Sequence, residues 1–309
     1  MTGTRRRVLD ALSAGPVSGP ELAERLGVSR AAVWKQVEAL RDVGFEIEST
    51  EAGYRIVSVP DFSGPAVEYG LAAPYEIEYH DAIESTNARA RELATAGAER
   101  VVVLADQQTA GRGRLDRAWS APSGGIYMSF VLRPEIAPME APLLTLAAAV
   151  ATARALREAG VAAGIKWPND ILLEPTDEKL AGILTEMEGE ADRVSWVVCG
   201  IGINANVGSA ALPAGATSVR EQVGDVDRRV LVQRIIEAFE SLRTDPEAIL
   251  DAWRAHALTL GERVRVETSQ GEVVGRALDI ESPGRLVIGT DESEVRVHAG
   301  DCEHLRPLE

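Results

Sequence analysis

The sequence is short of several residue types, and each shortage excludes a class of protein. Only two of its 309 residues are cysteine, Cys199 and Cys302, and they lie far apart without CxxC spacing. They therefore predict neither a disulfide framework nor a zinc site. The four histidines form no HxxxH or HExxH pair, so no structural metal is expected from them.

The sequence also lacks the patterns of a membrane-spanning segment and of a secretory signal. Apolar residues make up 45% of the chain, and we expect them in cores rather than in one long run. The start, MTGTRRRVLDALS, lacks the apolar stretch of a secretory signal. The length and composition predict a globular protein of two or three domains in the cytoplasm, with no membrane partner.

Lysine is the third scarcity, with three residues among 32 basic ones, against 48 acidic residues and a net charge of −16. This bias indicates, as a hypothesis, a salt-rich cytoplasm, because at molar salt a Debye length of ~3 Å screens the repulsion. Residues 1–58 hold eight basic and eight acidic residues, so the whole excess lies beyond them. Neutrality there fits a segment that approaches phosphates, although it is less than a basic patch.

The first 58 residues have the pattern of three short helices and a hairpin. SGPELAERLG and SRAAVWKQVEALRDVG begin at the cap residues Ser18 and Ser29, and FEIEST-EAG-YRIVSV alternates about a turn. This order is typical of a winged helix-turn-helix. The apolar stripe of the third helix turns Arg30, Lys35 and Gln36 outward, towards DNA or, in the alternative interpretation, only towards solvent.

The stretch at residues 60–74, PDFSGPAVEYGLAAP, is rich in proline and glycine and predicts a linker. From 75 to 258, strand-like runs such as VVVLADQQ and VSWVVCGIGINAN alternate with alanine-rich helices, which indicates a sheet domain with helices against one face. GxxxxGK[ST] and GxGxxG are both absent, which excludes a P-loop and argues against a Rossmann site. After residue 258, short alternating segments predict a small SH3-like barrel that serves as a packing module.

Four stretches of the middle region depart from an ordinary core pattern. They are ESTN (84–87), GRGRLDRAW (111–119), KWPND (166–170) with the following KLAGIL, and CGIGIN (199–204). ESTN is also explained by helix capping. In GRGRLDRAW, glycines allow close approach and Arg112 and Arg114 suit an anion such as phosphate, with a charged surface loop as the alternative.

Two of the three lysines, Lys166 and Lys179, lie in or just after KWPND. A flexible ammonium can follow a phosphate or carboxylate through a reaction, although chance retention is the alternative. Asp170 could hold a metal ion or orient a lysine. In CGIGIN, Gly200 and Gly202 interrupt a strand, which marks either close approach of a ligand or backbone, or a bulge.

Six motifs together resemble one family. ESTN, QQTAGRGRLDRAW, GGIYMSFVLRP, KWPND, KLAGIL and GIGIN occur in the order and rough spacing of biotin protein ligases. GPELAERLGVSRAAVWKQVEALRDVGFEIES followed by GYRI resembles the winged helix of biotin operon repressors. Over essentially its whole length the chain is similar to the bifunctional ligase and repressor type. It departs from the family loop at Leu115 and Asp116, where additional basic residues are often found.

The resemblance implies an α+β fold. It places a winged helix-turn-helix domain at 1–59, a linker at 60–74, a mixed-sheet catalytic domain with helices, similar to class II synthetases, at 75–258 and an SH3-like domain at 259–309. The last of these either packs, closes over ATP or docks the acceptor. The implied activity joins biotin and ATP, with Mg²⁺, to biotinyl-5′-AMP, and transfers biotin to a lysine of a biotin carboxyl carrier protein or domain.

The implied partners also include operator DNA and a possible homodimer. Three alternatives stay open, namely a ligase with a vestigial DNA-binding domain, a biotin sensor without ligase activity, and a lipoate-type ligase. The first is discriminated by DNA binding, the second by carrier modification and the third by the acid that is activated.

The resemblance also assigns site residues. Biotin is expected at Ser85, Thr86, Asn87, Gln108, Gly111, Arg112, Gly113, Arg114, Lys166, Gly200 and Gly202. ATP is expected at Arg112, Arg114, Arg117, Trp119, Lys166, Asn169 and Asn204. Catalysis is assigned to Lys166, Arg112, Arg114, Asp170 and Lys179, and DNA contact to Ser29, Arg30, Lys35, Gln36 and Arg55. The loop at 111–119 is then interpreted as a phosphate clamp that can close.

Overall fold

The amino-terminal part of the chain forms the predicted three helices and hairpin. A computed structural model describes residues 2–305, with the side chains of 4–305, and shows α1 (Thr2–Ser13), α2 (Gly19–Leu26), α3 (Arg30–Asp42), β1 (Glu46–Thr50) and β2 (Gly53–Ser58). Ser18 and Ser29 accept hydrogen bonds from the backbone N–H groups of Glu21 and Ala32, which caps the second and third helices. The winged helix-turn-helix prediction is confirmed.

The predicted linker differs from the structure, because part of it is folded and buried. It contains a short helix, α4 (Gly64–Glu68), and Glu68 is only 1% exposed. Arg5 of α1 donates to both carboxylate oxygens of Glu68, at 2.9 and 3.1 Å, and Arg6 donates to the carbonyl oxygens of Leu71 and Ala73, at 3.0 Å each. Proline is tolerated in the first turn of a helix, so the composition that indicated a linker also permits this one.

The central domain is built on a seven-stranded mixed sheet. Its strands are β3 (Glu76–Ile83), β4 (Val101–Gln108), β5 (Ile126–Leu132), β6 (Ala163–Lys166), β7 (Asp170–Leu173), β8 (Lys179–Gly189) and β9 (Val194–Ile203), in the order β3-β4-β5-β9-β8-β7-β6. Strands β3 and β4 are parallel and the other pairs are antiparallel. The α+β class and the mixed sheet are therefore confirmed, while the short strand β6 was not predicted.

Helices cover both faces of this sheet, and not one face as predicted. They are α5 (Thr86–Thr95), α6 (Pro142–Glu158), α7 (Val219–Val223), α8 (Arg228–Leu242) and α9 (Pro246–His256). Val102 and Leu104 of β4 pack in the core with α6 and α8, whereas Val103 packs with Ala90 and Ala94 of α5 on the opposite face. Successive side chains of a strand point to opposite faces, so a central strand covered on both sides reads as a continuous apolar run.

One helical stretch, Pro138–Glu158, is long and apolar enough to cross a membrane by length and composition. The expectation of no long apolar run was wrong at this point. Of its most apolar window, 72% is buried within the protein, where α6 lies against the sheet, α8 and α9. It is therefore the central core helix of the domain.

The carboxyl-terminal domain is a five-stranded antiparallel sheet. It comprises β10 (Arg263–Thr268), β11 (Gly271–Glu281), β12 (Arg285–Gly289), β13 (Glu294–Val297) and β14 (Asp301–His304), and residues 306–309 of the predicted domain lie outside the described part. Trp167 joins it to the central domain, since its indole N–H donates to the carbonyl oxygen of Gly284 at 3.1 Å. This contact places the domain beside the β6–β7 turn.

A partly buried polar cluster ties α8 to the edge of the central sheet. Glu240 accepts hydrogen bonds from the hydroxyl of Tyr75, at 2.7 Å, and from Arg100, at 3.0 Å. Burial alone would raise the pKa of the Glu240 carboxyl, but hydrogen bonds from Arg243, Tyr75 and Arg100 lower it to about 2. The ionised carboxylate therefore stabilises this corner of the fold.

A carboxyl group whose pKa is lower in the folded than in the unfolded state contributes stability at neutral pH, and this is lost as pH falls through the folded pKa. We expect the free energy of unfolding to decline between pH 4.5, the ordinary pKa, and about 2. In Glu240→Gln about 1–2 kcal/mol of that decline should be missing. Urea unfolding over this pH range measures it. The exposed Glu247→Gln is the control, and equal pH dependence in both variants would contradict the assignment.

Candidate functional site

A cavity of about 260 Å³ opens between the loop at 111–119 and the strands β8 and β9. All four unusual stretches of the sequence contribute to it. The predicted site residues that line it are Ser85, Thr86, Asn87, Gln108, Arg112, Gly113, Arg114, Arg117, Trp119, Asn169, Asp170, Lys179, Gly200, Gly202 and Asn204. Segments more than a hundred positions apart in the chain therefore meet at one site.

The inner end of the cavity is a closed network of polar side chains. The N–H and hydroxyl of Thr86 donate to the side-chain oxygen of Gln108, at 2.7 and 3.0 Å. The buried hydroxyl of Ser129 lies 2.6 Å from the side-chain oxygen of Asn87 and 2.8 Å from the Thr86 hydroxyl. Groups held in this way offer donors and acceptors in fixed directions to a small polar ring.

Ser129 was not predicted from the sequence as a residue of the site. It stands at the centre of β5, whose seven residues are all buried. A hydroxyl in an otherwise apolar buried strand needs a hydrogen-bond partner. This requirement could have marked Ser129 as part of a polar network, although it does not identify the hydrogen-bond partner.

The glycines of CGIGIN make room for side chains. A Cβ on Gly200 would lie 2.0 Å from the side-chain oxygen of Asn87, and one on Gly202 would lie 2.8 Å from the indole nitrogen of Trp119. The strand is regular here, since the irregularity of the β8–β9 pair falls at Glu188 and Gly189. Close approach, and not a bulge, therefore explains both glycines, and the approaching groups are side chains of the site.

The arginine loop is anchored to two other parts of the protein. Arg114 donates to the side-chain oxygen of Asn169, at 3.1 Å, and to the carbonyl oxygen of Gly300, at 2.8 Å. Arg117 forms an ion pair with Asp301 at the start of β14. Arg112 is exposed and forms no ion pair within residues 4–305. The loop thus holds two arginines, Arg114 and Arg117, in place and leaves Arg112 open to an anion.

At the tip of this loop, the two residues that depart from the family pattern have left-handed backbone conformations. The φ angles of Leu115 and Asp116 are 53° and 56°. Leu115 is also 74% exposed. The departure therefore lies on an exposed part of the loop, directly after the anchored Arg114.

KWPND and KLAGIL meet through a second set of charges. Lys179 forms an ion pair of 2.6 Å with Asp170, and its ammonium lies 5.4 Å from the centre of the Trp119 ring. Asn204 is buried and donates to the carbonyl oxygens of Lys179 and Thr217, at 3.2 and 2.9 Å. These contacts hold a lysine, a carboxylate and an indole together at the mouth of the cavity.

Two predicted residues do not line the cavity. Gly111 is the first residue of the loop, and its carbonyl oxygen accepts a hydrogen bond from the backbone N–H of Trp119 at 2.9 Å. Lys166 ends β6, opposite Asp170, and its charge acts on Cys302 and His304 of the carboxyl-terminal domain. Burial raises the pKa of Cys302 to about 11, against the lowering effect of the Lys166 charge. The roles of Gly111 and Lys166 stay predictions.

The residues assigned to DNA lie in the amino-terminal domain. Ser29, Arg30 and Lys35 are exposed, Gln36 is half-buried, and Arg55 pairs with Glu48 at 2.7 Å. Ser29 is also the cap of α3. The assignment to DNA contact stays a prediction.

The cavity has few side chains that could bind a metal ion. No cluster of three or more histidine, cysteine, aspartate or glutamate side chains that could hold a metal ion occurs within the described residues. Inside the cavity, the carboxylates are Asp170, paired with Lys179, and Asp301, paired with Arg117.

Three family models match the chain. The Biotin/lipoate A/B protein ligase family matches residues 79–204, an HTH domain matches residues 4–55, and the Biotin protein ligase C terminal domain matches residues 259–305. Together they cover the helix-turn-helix domain, most of the cavity and the carboxyl-terminal sheet.

Similar proteins span from 72% to 93% of the chain. The bifunctional ligase/repressor BirA of Bacillus subtilis is 40% identical over 93% of this chain and 93% of its own. The biotin–[acetyl-CoA-carboxylase] ligase of Mycobacterium tuberculosis is 37% identical over 72% of this chain and 86% of its own. Among solved structures, the biotin protein ligase from Aquifex aeolicus in complex with biotin and ATP has a TM-score of 0.61 and 27% identity, and covers 74% of this chain and 98% of its own.

The Arg117–Asp301 pair makes a testable claim about the loop. In Asp301→Asn the side chain keeps its shape but loses its charge, so Arg117 is released and the loop opens more often. Because a partly exposed ion pair contributes about 0.5–1 kcal/mol, we expect trypsin to cleave after the loop arginines about two to five times faster. The control is Glu303→Gln. It removes a carboxylate from the same strand, but one that pairs with Arg265 and not with Arg117. Equal cleavage rates in the two variants would contradict the anchoring role.

Proposed function

Because the chain belongs to the biotin protein ligase family of the bifunctional ligase/repressor type, we propose that it biotinylates a carrier protein and represses transcription. In the first step biotin and ATP form biotinyl-5′-AMP. In the second, biotin passes to a lysine of a biotin carboxyl carrier protein or domain. The observation that carries this proposal is the convergence of all four unusual stretches on one cavity.

Adenylation brings a carboxylate against a polyphosphate, so positive charge must offset their repulsion. The biotin carboxylate attacks the α-phosphorus, the bond to the bridging oxygen breaks, and pyrophosphate leaves. Arg112, Arg114 and Lys179 supply charge at the cavity, where it stabilises the transition state. Lys166 approaches the reacting groups from the adjacent end of β6.

The two ends of the adenylate need different surroundings. The network of Thr86, Gln108 and Asn87 suits the polar ureido ring of biotin, and Gly200 and Gly202 let the biotin-binding Asn87 and the neighbouring Trp119 lie close to the strand. Trp119, with a buried indole nitrogen that has no partner among the described residues, and Asn204 form the adenine side, together with Asn169 and Arg117.

Transfer requires that water be kept out until the acceptor arrives. The acceptor lysine, as a neutral amine, attacks the acyl carbon, the bond to the phosphate oxygen breaks, and AMP leaves with the electron pair. A loop that closes over the mixed anhydride protects it from hydrolysis. We assign this role to residues 111–119, with Gly113 allowing the backbone to approach the phosphate.

The charges of the cavity fit a Mg²⁺ ion that is bound mainly through ATP. The cavity carboxylates Asp170 and Asp301 are separately paired with cations, and Asp170 would be the carboxylate that helps to hold the nucleotide's metal. Mg²⁺ would neutralise phosphate charge during adenylation.

The helix-turn-helix domain is assigned to operator DNA, through Ser29, Arg30, Lys35, Gln36 and Arg55, with adenylate favouring a homodimer. We place the protein in the cytoplasm. A ligase-only function is the second candidate, because Arg5, Arg6 and Arg7 are engaged in contacts within the protein. Counterion release also weakens DNA binding as salt rises.

Incubation with ATP, biotin and a biotin carboxyl carrier domain tests the ligase function. We expect pyrophosphate release and the mass increase of one biotin on a single carrier lysine. Pyrophosphate release with lipoate and not biotin would show a lipoate-type ligase. Absence of carrier modification would leave a biotin sensor, and would overturn the proposal.

The clamp is tested by Arg114→Ala. Loss of one charge-assisted hydrogen bond, about 1.5 kcal/mol, should let biotinyl-5′-AMP escape roughly tenfold faster. Free adenylate separated by rapid filtration measures the escape. Arg193→Ala, on the exposed β8–β9 turn, is the control. Tight retention by Arg114→Ala would count against the clamp.

Gel retardation with the DNA upstream of the protein's own gene tests repression. We expect a shifted band that requires both biotin and ATP. A chain that modifies the carrier but never shifts this DNA would be a ligase only.

A further inference from the structure

The DNA-facing helix carries an exposed aromatic residue to which no role has been given. Trp34 of α3 is 57% exposed and is the most exposed of the five tryptophans, whereas Trp119 is half-buried and Trp167 and Trp253 are fully buried. A tryptophan at such a position gains nothing from the core of the domain, which Val33 and Val37 of the same helix supply. It therefore needs another explanation.

The surroundings of Trp34 favour an anionic partner. Arg30 lies one helical turn earlier and Lys35 is the next residue, and both are exposed without an ion pair in the part of the chain described. The nearest acidic residue on this side, Glu38, is paired with Arg41 at 2.6 Å. An apolar ring between two unpaired cations matches a DNA groove, in which phosphates flank the base edges.

The other cations of the domain are committed elsewhere. Arg5 and Arg6 hold the buried segment before β3, Arg7 donates to the carbonyl oxygen of Arg25 at 3.2 Å, and Arg55 pairs with Glu48. Few charges are therefore left to bind phosphates, and their contribution falls as salt rises. An apolar contact keeps its strength in salt, because it does not depend on counterion release.

We propose that Trp34 enters the major groove and packs against the C5-methyl group of a thymine, so that it reads sequence directly. The indole ring is apolar and its one polar group, the N–H, can only donate a hydrogen bond, so the ring itself distinguishes bases by apolar contact. The thymine methyl is the apolar feature that the major groove presents. This inference rests on the proposed binding of operator DNA, and it names the residue and base feature that give it specificity.

The test uses the full chain with biotin and ATP, and a duplex enriched by that chain from random-sequence DNA. Trp34→Ala should bind this duplex at least about tenfold more weakly. Replacing the contacted thymine by uracil, which removes the methyl, should weaken wild type about fourfold and leave Trp34→Ala unchanged. Pyrophosphate release should be the same in both proteins, since Trp34 lies outside the cavity.

Salt separates the apolar contact from the ionic ones. Between about 0.1 and about 1 M salt, the factor lost in Trp34→Ala should stay constant, while that lost in Lys35→Ala should shrink. Leu278→Ala removes another exposed apolar side chain, 46% accessible, from the carboxyl-terminal sheet and serves as the control, with unchanged affinity expected.

Several results would overturn the inference. Equal loss on uracil substitution in wild type and Trp34→Ala, at every thymine, would show that Trp34 does not read the methyl. Weaker binding traced by sedimentation to a lost dimer would assign Trp34 to a second copy of the chain. Loss in Lys35→Ala without loss in Trp34→Ala would reject this inference alone, whereas failure to enrich any duplex would reject DNA binding itself.

Discussion

The site depends on keeping positive charge concentrated in a protein whose net charge is −16. Unrestrained cations inside such a molecule would pair with the nearest carboxylates. They would then not be available to bind a substrate. The structure limits this because Arg114 donates to neutral oxygens of Asn169 and Gly300, and Lys179 pairs with a single carboxylate. The carboxylate near Arg114, that of Asp301 at 4.0 Å, is shared with Arg117, so positive charge remains in excess and available to a phosphate.

The same contacts make the carboxyl-terminal domain part of the site. Gly300 and Asp301 reach the arginine loop, and Trp167 of KWPND is bonded to both Gly284 and Thr259 of that region. A domain without any chemical motif of its own therefore sets where the loop rests. This is a larger structural part than that of a packing module alone.

The amino-terminal domain is joined to the central one by a similar use of arginine. Arg5 bonds to the buried Glu68, and Arg228 of α8 contacts Asp106 at the end of β4 and lies 3.6 Å from Asp61. Desolvation raises the pKa of the Glu68 carboxyl, and the Arg5 charge opposes this. A buried pair of this kind is costly to break, so the helix-turn-helix domain is held against the ligase domain by specific contacts and does not swing on a loose tether.

The sequence by itself determined the local elements and the chemical character of the site. Serine caps, apolar periods and glycine turns act over a few residues, so the helices, the hairpin and most strands were predictable, as were the motifs that bear arginine and lysine. Only the tertiary structure decided that Asp301 anchors Arg117, that Ser129 completes the polar network, and that Lys166 lies beside the cavity and not in it. The tertiary structure also decided that helix α4 is buried and that helices cover the second face of the sheet. Each of these features depends on contacts between residues distant in the chain, which local sequence patterns do not show.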